Sequence, residues 1–575
     1  MKRITRNFVS ASLLLGMALP VSAMAADQDL EQKIDNLNKE IEGLKRDVGQ
    51  TKQKSMGQWL TIGGDYRIRL DSLRGRTAAY TDAIGSITNA QNALQGTIFT
   101  GGSVTGQPLS TFIPLMQTIQ NTTSYSAANA LVNSLGTVPP GGPSLIQQMA
   151  GQLMTPQSLG GFAKQVQATT VANDTMYTNR FGLNLSVKPT EDVSVHARLL
   201  MYKVTGSQDD SAITGTGTGP FFADRVGVFD ATVAHVPSDN KLAVDTAYAT
   251  WKNVFGQPIW FSVGRRPSAG GIPSTVKQNR PGPGQAGTPA LMIDFAFDGG
   301  TLGIAPDIEA LPGAYAKFCW GRGFDSGIVD KNAPHLHDTE FVGIAVIPID
   351  TDPLRIDFQW DHGYNLFDFP VMKNTAFGDT APSVQLGGID WYELGAISTL
   401  KNIGPGTLNV FGTAGLSVTH PNDNVSGNAG FEGLLTGQFF KPEAPTDKTG
   451  WGAWIGARYD VTATRTKIGA EYNHGSKNWI TTVPSADDLW TSKVGTRGNV
   501  YEGYIIQELP LKPISSYLSK AFFRLGYQYY DFEYTGSNNW VGAPVKIADI
   551  KPTDMMLLTP LKSATDLYLT FEVHF

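Results

Sequence analysis

The sequence predicts an all-β fold: a transmembrane antiparallel β-barrel of about 16 strands, preceded by a short periplasmic coiled-coil helix. Three observations predict it. Apolar and polar residues alternate with period two in segment after segment from Trp59 onward, which is the signature of strands with one greasy and one polar face. The connections between these segments are alternately tight and long. Beyond the N-terminus no apolar run approaches the roughly 18 residues a membrane helix needs, yet only 17 % of the chain is charged, against roughly 25 % in soluble domains.

Residues 1–25 read as a secretory signal. Lys2, Arg3 and Arg6 form a basic start, Phe8 to Leu19 an apolar stretch, and Ala23-Met24-Ala25 a cleavage site of small-x-small type. Cleavage removes those three positive charges and takes the net charge from -6 to -9. Such an acidic chain gives no sign of nucleic-acid binding. Residues 26–55 follow as a periplasmic segment in which Leu30, Ile34, Leu37, Ile41, Leu44 and Val48 recur at alternating spacings of four and three, a heptad seam with Leu at d and Ile or Val at a. With Gly43 inside and few heptads, the seam forms where the rest of the protein already brings chains together. A solitary amphipathic helix is the alternative.

Residues 56–575 form the barrel. The stretch LTIGGDYRIRL places Asp65, Arg67, Arg69 and then Asp71 on one face, and Tyr66, Ile68 and Leu70 on the other. The same alternation recurs in strands beginning near 59, 176, 193, 242, 258, 291, 314, 339, 354, 388, 406, 450, 464, 498, 521 and 564. Tight turns lie at Pro189 to Asp192, Asn253 to Pro258, Asp350 to Pro353, Asn402 to Pro405 and Asp460 to Ala463, rich in the residues turns demand. Between them run long Gly/Pro/Asn-rich segments. Long loops gathered at one end are what an outer-membrane barrel shows and a soluble sandwich has no reason to show. An even strand count returns both termini to the same end.

The last strand, ATDLYLTFEVHF, alternates Leu567, Leu569, Phe571, Val573 and terminal Phe575 with Asp566, Thr570, Glu572 and His574. This ending resembles the closing strand of Gram-negative outer-membrane barrels of the porin superfamily. There the pattern, here Phe571, Val573 and Phe575, implies recognition by the outer-membrane assembly machinery. With WFSVGRRP, the KPTEDVSVHARL hairpin and the heptad-bearing N-terminus, the chain also resembles an uncharacterised porin-like family of metal-reducing bacteria. Some of its members accompany multihaem cytochromes, so the resemblance implies a cytochrome as a partner.

Residues 77–174 are a large insert. No Asp, Glu, Lys or Arg occurs from Ala83 to Ala163, and SAANALVNSL and PSLIQQMAGQLM resemble short helices. A segment this long is functional, partly helical or disordered. It caps the barrel from outside or folds into the lumen.

By strand parity the expected pore-lining residues are Asp65, Arg67, Arg69, Asp71, Arg180, Arg198, Asp245, Lys317, Asp357, Asp361, Arg458, Lys467, Glu471, Glu502, Arg524 and Glu572. An Arg facing lipid near the midplane would cost roughly 2–4 kcal/mol, which enforces the alternation. Both signs are present, so selectivity is not readable by counting. Arg265 and Arg266, with Lys277 and Arg280 in the loop that follows, form a basic cluster that could steer anions or equally bind acidic lipopolysaccharide groups or neighbouring loops, and Trp59, Tyr177, Trp251, Trp260 and Trp451 suit interfacial girdles. The lone Cys319 excludes an internal disulfide and reads as a filler residue.

The expected function is passive diffusion of small hydrophilic solutes across the outer membrane, with the N-terminus periplasmic. Lipid and lipopolysaccharide would surround the barrel, and a homo-oligomer, trimer or dimer, is expected. The alternative is a sheath for a redox partner such as a multihaem cytochrome. No nucleotide-binding loop, G-x-S-x-G or H-E-x-x-H occurs, so neither catalysis nor a bound cofactor is expected.

Overall fold

The computed structural model describes residues 59–86, 88–89, 92, 114, 117–136, 163–205, 240–268, 273–280, 291–294, 296–370, 372–375, 378–484, 487–512 and 519–575. The expected signal and coiled coil lie outside the described residues. A compact unit runs from Ile62 to Phe575.

Sixteen strands form one closed barrel. They are β1 (Leu60–Thr77), β2 (Thr170–Val187), β3 (Val193–Val204), β4 (Ala243–Trp251), β5 (Ile259–Pro267), β6 (Ala296–Ile304), β7 (Tyr315–Phe324) and β8 (Thr339–Asp350). The second half comprises β9 (Arg355–Phe367), β10 (Gln385–Ile403), β11 (Gly406–Pro421), β12 (Thr449–Val461), β13 (Thr466–Gly475), β14 (Gly498–Glu508), β15 (Lys520–Phe532) and β16 (Leu561–His574). Neighbours in sequence are neighbours in the wall. β1 closes the ring against β16 in a register running from Asp65 opposite His574 to Thr77 opposite Leu561.

Most strand starts fall within a few residues of those read from the alternation. The two largest departures are β2, which begins at Thr170 rather than near 176, and β6, which begins at Ala296 rather than near 291. The long connections, among them 268–295, 422–448, 476–497 and 533–560, all fall at one end, and the other end is closed by tight turns and two somewhat longer connections, 305–314 and 509–519. In the β10–β11 turn both Asn402 (φ 60) and Gly404 (φ 57) adopt left-handed backbone, which Asn and Gly tolerate best.

The outer face carries an exposed apolar belt that passes through Ile68, Val263, Leu302, Phe318, Ile344, Phe358, Leu394, Ile455, Ile505, Leu525 and Leu569. Exposed aromatics flank it, with Trp251 and Phe261 toward the tight turns and Trp451, Tyr501 and Tyr529 toward the long loops. A strand of about 11 residues, tilted by roughly 40°, rises roughly 28 Å, which matches the hydrocarbon thickness of a bilayer. Trp260 departs from the girdle expected of it. With Phe261 outward, parity turns Trp260 inward, where its ring stands 6.0 Å from that of Tyr315 and covers Gly303.

The interior holds the main hydrophobic core, which sequence parity did not anticipate. Phe341, Ile389, Trp391, Phe411 and Trp454 project from β8–β12 and meet Leu291, Met292, Trp479, Ile480 and Trp540 from the long loops. Trp479 shows how the loop approaches the wall. A Cβ on inward Gly415, Gly452 or Gly475 would strike its ring, so three glycines leave the groove it occupies. Of the large insert, helix α1 (Tyr125–Gly136) packs Ala128 against Val425 and Phe431 of the β11–β12 loop.

Ile455 is central in β12, 52 % exposed on the outer face. Ile455→Arg should lower stability by roughly 2–4 kcal/mol, measured by urea titration of the barrel folded in phospholipid vesicles. An unchanged midpoint would show that the belt does not contact hydrocarbon.

Candidate functional site in the barrel interior

On β1 alternation puts Asp65, Arg67, Arg69 and Asp71 inside, each almost fully buried. Asp65 lies 2.6 Å from Arg198 and 3.4 Å from Arg180, and Arg198 lies 3.4 Å from Asp245. Toward the tight turns, Glu572 stands 3.4 Å from Arg180 and 3.7 Å from Arg524. Arg69 joins Asp71 at 2.5 Å to Asp566 at 2.8 Å, its guanidinium 4.3 Å from the centre of the Tyr568 ring. Opposite charges thus alternate around the wall.

Two long loops enter this charged interior. The β13–β14 loop brings Asp487, whose carboxylate accepts two hydrogen bonds from Arg67, at 2.5 and 2.7 Å, and lies 3.6 Å from Arg180. Burial alone would raise the Asp487 carboxyl, but Arg67 and Arg180 beside it hold it well below the usual carboxylate range. The same loop brings Lys493 to 2.5 Å from Glu471 and 2.7 Å from Glu502, above the Trp454 ring. Burial would lower its ammonium pKa, but the two carboxylates raise it.

The β5–β6 loop reaches further. Its single helical turn, Ser274–Lys277, places Lys277 2.5 Å from Glu502. The Lys277 and Val276 carbonyls accept hydrogen bonds from Arg524 and Arg458, and Asn279 accepts one from Lys467 at 2.6 Å while donating to Glu508 at 2.8 Å. Lys467 and Glu508 border the tight turns, so this loop descends through most of the barrel. Its return leg, Leu291 to Ile293, bonds Thr481 and Thr482 of the other loop.

A different environment faces β5–β10. Lys317 donates to the Ser268 carbonyl at 3.2 Å, and Asp361 accepts from Gln359 in space that Gly343 leaves by lacking a Cβ. Asp357 lies 3.7 Å from Arg355, and Glu393 accepts from Thr413 at 2.5 Å. A cavity of about 30 Å³, room for about two or three waters, is lined here by Arg266, Lys317, Gln359 and Asp361.

All sixteen residues expected from parity thus sit on inward positions, in two groups. Asp65 through Arg198 and Asp245, together with Arg458 through Glu572, bind one another and the inserted loops. Lys317, Asp357 and Asp361 stand apart from them. The wall partners Arg355 and Glu393 and the loop partners Asp487 and Lys493 were missed, and Asp566 and Lys277 were noted without the ion pairs they make. The two tryptophans of residues 476–497, unusual in an exposed loop, were the available signal. Arg265 lies on the outer face, 2.6 Å from Asp298, because Val263 two residues earlier is outward, whereas Arg266 is inward.

Asp487→Asn leaves Arg67 buried without its carboxylate and should cost roughly 3–5 kcal/mol at pH 7 by denaturant titration. The folded carboxyl lies below its unfolded value of about 3.9, so its contribution is complete above about pH 4 and falls as pH drops through the folded value. The variant should therefore lose part of the acid dependence. A change under about 1 kcal/mol would mean that the pair does not anchor the loop.

Solved structures similar to this chain include Pseudomonas putida OprB, at 9 % identity, covering 92 % of this chain and 97 % of that one, with TM-score 0.39. Others are an anion-selective porin from Comamonas acidovorans, at 10 % identity, 90 % and 99 % coverage and TM-score 0.35, and Salmonella typhi OmpF, at 8 %, 89 % and 97 %, and 0.34. No curated protein matches the sequence. A family model described as "Protein of unknown function (DUF3373)" matches residues 170–575, all of the barrel after β1, and the chain belongs to that family.

Proposed function

We propose that the chain is an outer-membrane channel for passive diffusion of small hydrophilic solutes, its tight turns and N-terminus periplasmic and its long loops external. The observation that carries this reading is a closed wall with apolar residues outside and ionised residues inside. Such a wall gives polar solutes a hydrophilic environment through hydrocarbon. Sixteen strands are wide enough for an aqueous lumen. The inserted loops narrow it. Packed side chains concentrate on β8–β16, whereas the half-buried inward groups His196, Arg198, Arg266, Lys317 and Gln359 lie on β3–β9. The path therefore follows the β3–β9 wall and admits only small solutes.

Both signs along that wall give a transverse field and modest ion preference. Phe571, Val573 and Phe575 supply the assembly signal, and lipid with lipopolysaccharide surrounds the belt. The barrel works as a homo-oligomer. No observation favours a sheath around a cytochrome, since the chain's own loops occupy much of the described interior.

Planar-bilayer recording should give small, stepwise conductance. Lys317→Glu should move the zero-current potential in a salt gradient toward cation preference. Silence at every voltage and salt concentration would overturn the channel reading.

A further inference from the structure

At the long-loop end, away from the interior charges, a second cavity lies among the β11–β12, β13–β14 and β15–β16 loops. Its volume is about 50 Å³, room for about three to five waters or one small organic molecule. Two charged side chains line it, both deeply buried.

Glu432 is 9 % exposed, and among the described residues its carboxylate has neither a hydrogen-bond partner nor an ion pair. Its position is built into the loops. The Glu432 carbonyl accepts from the Ser426 N–H at 2.8 Å, and the carboxylate rests against Gly542, where any Cβ would collide with it and where φ is +80°. Arg497 is 1 % exposed. It spends three N–H groups on the carbonyls of Trp479, Thr535 and Asn539, at 2.9, 3.0 and 2.7 Å, and has no carboxylate partner among the described residues. A guanidinium carries five N–H donors, so two are left.

Burying a charge without a partner is costly, so a ligand that brings the missing counter-charge to each of these two groups removes a cost the empty cavity carries. Phe439, Val541, Met555 and Leu557 give the cavity an apolar side, and Gln438, Thr535 and Asn539 add uncharged polar groups to the rest of its lining. We infer that this cavity binds a small zwitterion, an α-amino acid with a short apolar side chain. The ligand's ammonium meets Glu432, its carboxylate meets the free N–H groups of Arg497, and its side chain meets the apolar wall. The inference does not depend on conduction through the barrel.

The electrostatics agree. Burial raises the Glu432 carboxyl to about 8 and lowers Arg497 to about 9, and no neighbouring charge opposes either shift. Glu432 is therefore mostly protonated at pH 7 in the empty cavity, and an arriving ammonium displaces that proton.

Titration calorimetry on the full barrel in detergent, with L-alanine as probe, tests this. L-alanine should bind with release of a proton, seen as a heat that changes with the buffer's ionisation enthalpy. Alaninamide, which lacks the carboxylate, and N-acetylalanine, which lacks the ammonium, should each bind at least tenfold more weakly. Glu432→Gln should weaken L-alanine tenfold and abolish the buffer dependence. No heat with L-alanine at millimolar concentration, or equal affinity for any of the three compounds, would overturn the inference. The compound series decides the matter even if the variant does not fold.

Discussion

The structure depends on a closed backbone ladder whose outer face is hydrocarbon-compatible. In a bilayer core an unpaired peptide group costs several kcal/mol, so a sheet can cross only if its last strand bonds its first. Here β16 meets β1 along nearly their whole length, and the C-terminal Phe575 exchanges backbone hydrogen bonds with Gly64. Once the ring is closed, parity follows. Each residue is inside or outside, and a one-residue slip of β1 would turn Arg67 and Arg69 toward lipid.

Closure leaves a wide interior, and the chain fills much of it with its own loops. The charged wall explains why these loops stay. Arg67 without Asp487, or Glu471 without Lys493, would be a buried charge with no ion-pair partner among the described residues, so the β13–β14 loop completes a set of ions the strands leave unbalanced. The apolar half serves the same end by burial. Trp479 lies along three wall glycines, and its indole N–H reaches the Val494 carbonyl at 2.7 Å.

Much of this was legible in the sequence, because lipid enforces a period of two and the turns punctuate it. The strand order, the long-loop end and the inward position of charges from Asp65 to Glu572 all follow from alternation alone. Two kinds of feature were not legible. Parity says which way a residue points and not what it meets, so inward Trp391 and Trp454 gave no sign of the core they join. Loop entry depends on contacts far apart in sequence. Arg67 and Asp487 are 420 residues apart, and no local pattern links them. Trp260 was misplaced for a simpler reason. Residue type was allowed to outweigh parity, and parity decides.

The central claim is that lipid covers the outer face and protein the inner one. Single-tryptophan variants of the barrel in vesicles of lipid brominated along the acyl chains test it directly. Trp320, on the outer face and 40 % exposed, should be strongly quenched, and Trp454, inward and 2 % exposed, should not. Equal quenching of the two, or quenching of Trp454 alone, would contradict the account.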